Sequence, residues 1–413
     1  MTAGATAPVT DETAAASHRM LPAERRASVA LAGVFALRML GLFLVLPVFA
    51  LEAARLPGGD DPARVGLAMG IYGLVQAVLQ IPLGWASDRY GRKPVILLGL
   101  ALFAAGSVLA AWAPTLAWLT LARAVQGAGA ISAAVTALLA DLTRDAVRTK
   151  AMALVGASIG LSFALSLVVA PPLAAAIGLG GLFVLTALLT LAGMAAVVWV
   201  VPPEPAHPAA TRGTGGGWRT VLTHPALLRL DGGVLALHTL QMAMWVTVPG
   251  LLVQAGLPQG QHWQVYLAAL AVSLAIMGGL LFRLERRGHL GAVLRTAIGL
   301  LLAAQLGLAW SHMHGATLAA LTGWLMVFFV GFNTLEASQP SLVSRLAPAE
   351  ARGAALGVYN TLQSLGLFAG GALGGWLARH GGPGAVLASG AALATLWLAL
   401  AWRQPLPTTR PTR

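Results

Sequence analysis

The passage Gly84-Trp85-Ala86-Ser87-Asp88-Arg89-Tyr90-Gly91-Arg92-Lys93 is a short charged stretch set between two long apolar runs. Each flank is apolar for about 20 residues, the length that crosses the hydrocarbon core of a bilayer. A polar link this short between two such runs is the turn of a helical hairpin, with both arms in lipid and every backbone group paired within its own helix. The decisive reading is therefore an all-α membrane protein.

Composition agrees. The chain is 57% hydrophobic and 10% charged, with a mean hydropathy of +0.77. A soluble globular chain carries about 25% charged residues, so this one lacks the polar surface needed to dissolve. It has no cysteine, which removes disulfides and thiolate metal sites. The formal net charge of +12 does not point to nucleic acid, because the basic residues sit singly beside apolar segments rather than in runs.

The apolar pattern divides into twelve spans: 27–51, 64–87, 94–113, 115–141, 149–173, 181–201, 227–253, 263–283, 291–311, 316–345, 351–378 and 383–402. They are called spans 1 to 12 below. Span 1 is too long for a signal core and carries Arg38 near its middle. The even number puts both ends on one side. Arg25, Arg26, Arg89, Arg92, Lys93, Arg144, Arg148, Lys150, Arg212, Arg219, Arg286, Arg287, Arg345, Arg352 and Arg403 crowd that side, so the positive-inside rule predicts cytoplasmic termini. The expected organisation is a disordered cytoplasmic N-terminus (1–26), a first six-span half (27–201), a cytoplasmic linker rich in proline and glycine (202–226), a second half (227–402) and a short polar tail (403–413). Arg148-x-x-Ala151-Met152 opens span 5 and Arg352-x-x-Ala355-Leu356 opens span 11, so the halves read as repeats.

The pattern Gly84-x-x-x-Asp88-Arg89-x-Gly91-Arg92-Lys93 resembles the signature loop between the second and third helices of the major facilitator superfamily. Span 4 contains Arg123-x-x-Gln126-Gly127-x-Gly129-Ala130, similar to a second motif of that family, linked in its drug/proton antiporters to proton coupling. The resemblance implies two pseudo-symmetric six-helix halves with substrate between them, alternating access, and a place in a bacterial inner membrane. It further implies that Asp88 and Arg92 act with Asp141 at the foot of span 4 as a gate latch. Gly84, Arg89, Gly91 and Lys93 complete that motif. One departure weakens the direction of transport: the fifth-helix antiporter motif stands here as Ser166-x-x-x-Ala170-Pro171, without its glycines, while span 11 carries Gly366-x-x-x-Gly370-Gly371-x-x-Gly374-Gly375.

Charges inside spans are costly, about 2.5–3.5 kcal/mol each at mid-bilayer on insertion scales, so they are candidates for function. Arg38 reads either as a structural arginine or as the organiser of a substrate or proton site; it cannot itself release a proton. Arg123 and Gln126 share a helix face with Gly127 and Ala130 by the 3.6-residue period. Glu336 is the one acid the pattern places well inside a span, with Asn333 and Pro340 on its face, and is the candidate proton carrier; Asp231 falls nearer an interface. Tyr72, Gln76 and Gln80 recur along span 2; His238, Gln241 and Trp245 along span 7; Tyr359 and Gln363 along span 11. Such stripes suit a polar and aromatic cavity, although each residue alone reads equally as an interhelical hydrogen bond. No histidine–carboxylate metal spacing and no nucleophile with a base are present, so neither an enzyme nor a metal or other cofactor is expected. The reading is a monomeric secondary transporter, most simply a proton-coupled exporter of small amphipathic or drug-like compounds. The alternative is proton-coupled uptake of a metabolite such as a sugar or an organic anion held by Arg38 and Arg123.

Overall fold

A computed structural model describes residues 19–204, 217–281, 283–284, 289–348 and 351–402. Arg212, Arg286, Arg287, Arg403, most of the linker glycine run and both terminal tails lie outside them. The described residues form helices and no strands. Span 1 is Pro22–Ala53, span 2 Pro62–Tyr90 and span 3 Arg92–Ala111. Span 7 is Pro225–Gln254, span 9 Leu290–Met313 and span 10 Leu318–Leu346. Span 8 starts as His262–Ile276 and loosens into a wider helical turn over Met277–Leu281. Pro22, Pro62 and Pro225 open their helices where a backbone N–H has no partner to lose. The side chains of Asp61, Thr115 and Thr317 cap spans 2, 4 and 10 by accepting from backbone N–H groups of the first turn.

Among the described residues ten helices have the length and apolarity to cross a membrane, and two of these run far too long for one crossing: Asp145–Trp199 and Arg352–Trp402. Each contains one residue outside the helical region, Gly178 (φ +68°) and Gly382 (φ +66°). The contacts show that the chain reverses there. Before Gly178, Ser158 and Ser162 donate to the carbonyls of Ala32 and Ala36, so spans 5 and 1 run parallel. After it, Thr186 donates to Gly41 O and Gly193 faces Val34, so span 6 runs antiparallel to span 1. In the second half Gly366 and Gly370 pack on the carbonyls of Leu235 and Thr239, whereas beyond Gly382 Gly390 meets Leu240 and Trp397 meets Gly233. Twelve crossings result. Where the apolar pattern leaves gaps at 174–180 and 379–382, the structure keeps helical backbone and turns on a single glycine.

The repeat is geometrical as well as sequential. Arg148 donates to Ala140 O at 3.2 Å and Arg352 to Ser344 O at 3.0 Å, each reaching back eight residues to the end of the preceding span. Gly178 follows Arg148 by the same 30 residues that separate Gly382 from Arg352. Ser162 packs against Ala36, and its counterpart in the repeat, Gly366, packs against Leu235 and His238. Arg38 and His238 therefore stand within about one helical turn of equivalent places in the two halves.

Span 4 departs from the expectation of one continuous helix. It runs Leu116–Gly127, breaks, and resumes as Ser132–Asp141. Ala130 consequently lies within the break and does not share a helix face with Arg123, Gln126 and Gly127. The physical reason is close packing on both sides of the break. A Cβ on Gly127 would strike the Tyr72 backbone of span 2, and one on Gly129 would meet Phe103 Cβ of span 3 at 2.9 Å. The two halves meet at the end of the bundle opposite the signature loop. There Gly66, Gly70 and Gly73 of span 2 touch Ser364, Phe368, Gly371 and Gly375 of span 11, and Asp61 pairs with Arg379 at 2.6 Å. Gln259 reaches Glu52 at 2.9 Å in the same region.

Candidate functional site

Three polar groups contain most of the singled-out residues. The first is cationic and lies in the first half. Arg38, fully buried, donates from Nη2 to Tyr72 Oη at 2.8 Å, Gly129 O at 3.0 Å and Gln76 Oε1 at 3.5 Å. The break in span 4 makes this possible, because a carbonyl inside an unbroken helix would already be committed to the ladder. Arg38 Nε and Nη1 have no protein partner, and the guanidinium lies 5.3 Å from the Phe103 ring centre. Arg123 is buried one layer away, 5.0 Å from the Tyr72 ring centre and 5.7 Å from that of Phe49. It donates to Gln126 Oε1 at 2.8 Å, and the Gln126 amide passes the link to Ser107 Oγ at 2.7 Å. Two buried cations thus share Tyr72, one on its hydroxyl and one on its face. Neither has a carboxylate among its hydrogen-bond partners; the acceptors are neutral oxygens. Gln76 carries the network across to the second half by donating to Ser364 Oγ at 3.1 Å. Gln80, one turn further, is buried with both amide atoms unpartnered.

The second group lies in the other half. His238 Nδ1 is 3.0 Å from Val234 O, which only a protonated Nδ1 can satisfy. That leaves Nε2 facing the Gln363 amide nitrogen at 2.8 Å and Glu336 Oε2 at 3.5 Å. The same amide donates to Glu336 Oε1 at 3.3 Å. Gln363 thereby holds a base and an acid of spans 7 and 10 together. Tyr359 donates to Gln339 Oε1 at 3.4 Å, a turn nearer the signature-loop end. Asn333 is not brought to this group: its amide donates to Ser273 Oγ of span 8 at 2.9 Å. Gln241 and Trp245 line an apolar recess with Met244, Val248, Leu325, Phe328 and Phe329, and Trp245 packs edge-to-face on Tyr266.

The third group is the signature loop. Gly91 has φ +101°, a backbone that a side chain would strain, and it turns the chain from span 2 into span 3. Arg92 pairs with Asp88 and, through Nε, with Asp141 Oδ2 at 3.2 Å, and it also donates to Ser87 Oγ. Gly84 sits against Ala133, where a Cβ would make ordinary contact at 3.5 Å. Arg89 stacks near the exposed rings of Trp85 and Tyr90. Sequence reasoning missed Glu204. Its carboxylate accepts from Arg92 N at 2.8 and 2.9 Å and from Lys93 N at 3.2 Å, capping span 3 from the end of span 6, while Lys93 Nζ donates to Val201 O. A carboxylate suits the positive end of a helix, but nothing local in the sequence ties residue 204 to residue 92. A parallel clamp stands beside it. Glu24 accepts from Leu21 N and from Arg144 N, Nε and Nη2, joining the starts of spans 1 and 5.

Asp231 was underrated by its position near the start of span 7. It is 2% exposed, and neither carboxylate oxygen has a hydrogen-bond partner. Glu336, by contrast, keeps 36% of its side chain accessible. Among the described residues no group of three or more histidine, cysteine or acidic side chains is placed to hold a metal ion.

A bundle of twelve crossings in two repeated halves, with buried polar groups in each, is the architecture of a secondary transporter. The sequence profile of the Major Facilitator Superfamily matches residues 31–371, and the chain belongs to that family. It is 45% identical over 388 residues to the inner membrane transport protein YajR of Escherichia coli, covering 93% of this chain and 84% of that one. It is 30% identical over 353 residues to the multidrug resistance protein MdtH of Aeromonas hydrophila, covering 81% and 82% respectively. Among solved structures, a D-xylose–proton symporter superposes with a TM-score of 0.73 at 16% identity, covering 93% of this chain and 98% of that one, which is a likeness of fold. The protein is a multi-pass membrane transporter that works by secondary active transport on small molecules, and it is not an enzyme.

Proposed function

We propose that this transporter is a proton-coupled exporter of small amphipathic or drug-like compounds, acting as a monomer in a bacterial inner membrane with both termini in the cytoplasm. The observation that carries the reading is the His238–Gln363–Glu336 group. A neutral imidazole and a carboxylate share one amide, so a single proton added to the pair removes its negative charge and changes what the cavity attracts. Tyr72, Gln76, Gln241, Trp245 and Tyr359 supply the surrounding polar and aromatic surface, with Asn333 at its edge. The multidrug name of one relative favours efflux.

The linker 202–226 then lies in the cytoplasm between halves 27–201 and 227–402. Asp88, Arg92 and Asp141 act as a conformational latch there, within the motif of Gly84, Arg89, Gly91 and Lys93. The test is a proteoliposome assay with an imposed pH gradient and a panel of dyes, sugars and organic acids. Glu336→Gln should abolish accumulation against the gradient while permitting exchange; wild-type accumulation in that variant would remove Glu336 from the coupling role. A second reading, uptake of an organic anion, is favoured by one feature: two buried guanidinium groups with free N–H bonds and no acid hydrogen-bonded to either. Saturable, pH-driven entry of an organic acid that Arg38→Ala eliminates would select it.

A further inference from the structure

The second half contains another buried acid. Asp231 lies on span 7 with His238, Gln241 and Trp245, at i, i+7, i+10 and i+14, so all four share one side of the helix. All four are buried. Asp231 stands two turns below His238 toward the signature-loop end. Between the two levels, Tyr359 of span 11 is within electrostatic reach of both Asp231 and Glu336, and Gln339 of span 10 binds the Tyr359 hydroxyl. The polar side chains thus form a ladder: Asp231, then Tyr359 with Gln339, then Glu336, Gln363 and His238. Neither Asp231 oxygen has a donor, and no cation pairs with it among the described residues. Burying an ionised carboxylate without hydrogen bonds or a counter-ion is among the most costly things a protein can do, and the group takes up a proton instead.

We propose that Asp231 is a second protonation site, the inner station on the proton path between Glu336 and the cytoplasm. This rests on the proton-coupled reading above and extends it. In the transfer step the Glu336 O–H bond breaks and leaves a carboxylate, one proton passes along the Tyr359 level, and one O–H bond forms on an Asp231 oxygen. Release to cytoplasmic water then restores the Asp231 carboxylate when the span 7 end becomes wetted. Among the described residues, Tyr359 of span 11 lies within electrostatic reach of Asp231, and span 12 offers Trp397 near Gly233, which does not titrate.

Infrared spectroscopy of the full chain in lipid vesicles, taken between about pH 6 and pH 9, tests the assignment, because an ordinary aspartate is ionised throughout that range and gives no carboxylic C=O band. The native protein should show a carboxylic band that moves when aspartate is labelled with carbon-13 and that Asp231→Asn removes. The label reads the native protein, so poor folding of Asp231→Asn would not leave the question open. Absence of any label-sensitive carboxylic band in the native protein would overturn the proposal. The outcome is distinguishable from failure of the coupling assignment: an aspartate band with full coupling in Glu336→Gln rejects the role of Glu336 alone, whereas uncoupling by Glu336→Gln without an aspartate band rejects Asp231 alone.

Discussion

Arg38 shows what a single buried charge demands. Its Nη2 supports three acceptors, Tyr72, Gln76 and Gly129, drawn from spans 2 and 4. Each hydrogen bond to a charged group contributes about 1.5–3 kcal/mol, and leaving the acceptors unpaired costs a similar amount. Arg38→Ala should therefore insert and yet lose transport, because the Gly129 carbonyl at the span 4 break and the Tyr72 hydroxyl both lose their donor. Arg38→Lys retains the charge and a smaller donor set and should keep partial turnover. Transport at equal membrane levels checks both, and wild-type turnover of Arg38→Ala would make the residue dispensable. The buried cations and Glu336 were legible in the sequence because a charge inside an apolar run is conspicuous. Their partners were not. Hydrogen bonds from Arg38 to a backbone carbonyl at a helix break, or from Gln363 to both His238 and Glu336, depend on packing across 91, 125 and 27 residues of chain respectively. Asp231 was visible but misjudged, since distance from a helix start does not measure burial.

Among the elements, the two reversals at Gly178 and Gly382 isolate the cost of backbone conformation. A Cβ at either position meets nothing within 4 Å, so a substitution there is strained by φ alone. With ψ of 179° and −170° both glycines lie in a region that is essentially closed to L-residues, where a side chain costs about 1–3 kcal/mol. Gly178→Ala and Gly382→Ala should each lower stability by about that amount, and additively, because the sites lie in separate halves. Thermal unfolding in detergent checks this; a loss well above that range would require a clash that the surroundings do not contain. The span count was legible from apolar length, yet the turns were not, because alanine- and glycine-rich sequence continues through them without a polar break. The break in span 4 was only hinted at by Gly127 and Gly129, since such small residues serve close helix packing equally well; their contacts with Tyr72 and Phe103 were not visible in the sequence. The Glu24 clamp lies ahead of the apolar run of span 1 and has a pH signature. The Arg144 side chain, with the backbone N–H groups of Leu21 and Arg144, lowers the Glu24 pKa from 4.5 to about 2. A depressed carboxylate pKa stabilises the fold fully above the unfolded value, and that stability is lost as pH falls through the folded one. The stability deficit of Glu24→Gln should accordingly be constant from about pH 6 to 8 and shrink below about pH 4.5, where the native protein loses the same contribution. A deficit that varied within the neutral range would mean that the clamp titrates during transport.

At the scale of the whole molecule, alternating access needs contacts that can be made and broken between two rigid halves. The signature-loop cluster of Asp88, Arg92 and Asp141 lies wholly within the first half, and we expect Asp88→Asn and Arg92→Ala to insert normally but turn over slowly; equal rates at equal membrane levels would remove the latch. The opposite end carries the contact between halves itself. There the absence of side chains is what allows spans 2 and 11 to touch: a Cβ on Gly66 would lie 2.7 Å from Gly375 Cα, and one on Gly70 would lie 2.7 Å from Phe368 O. Both obstructions are backbone, which cannot turn aside as a flexible side chain can. A methyl group at Gly66 should therefore force the seam apart and favour the state open at that end, without touching either buried charge group. Ser364 is buried under the seam at 2% exposure, and the chain has no cysteine, so Ser364→Cys gives a unique probe. Adding Gly66→Ala to Ser364→Cys should raise the rate of labelling by a membrane-impermeant thiol reagent applied from the side opposite the signature loop, and Asp61→Asn, which removes the ion pair with Arg379, should raise it by less because an exposed pair contributes only about 0–1 kcal/mol. If Gly66→Ala leaves that rate unchanged while the protein remains folded, the glycine seam is ordinary helix packing and that end is closed by other contacts.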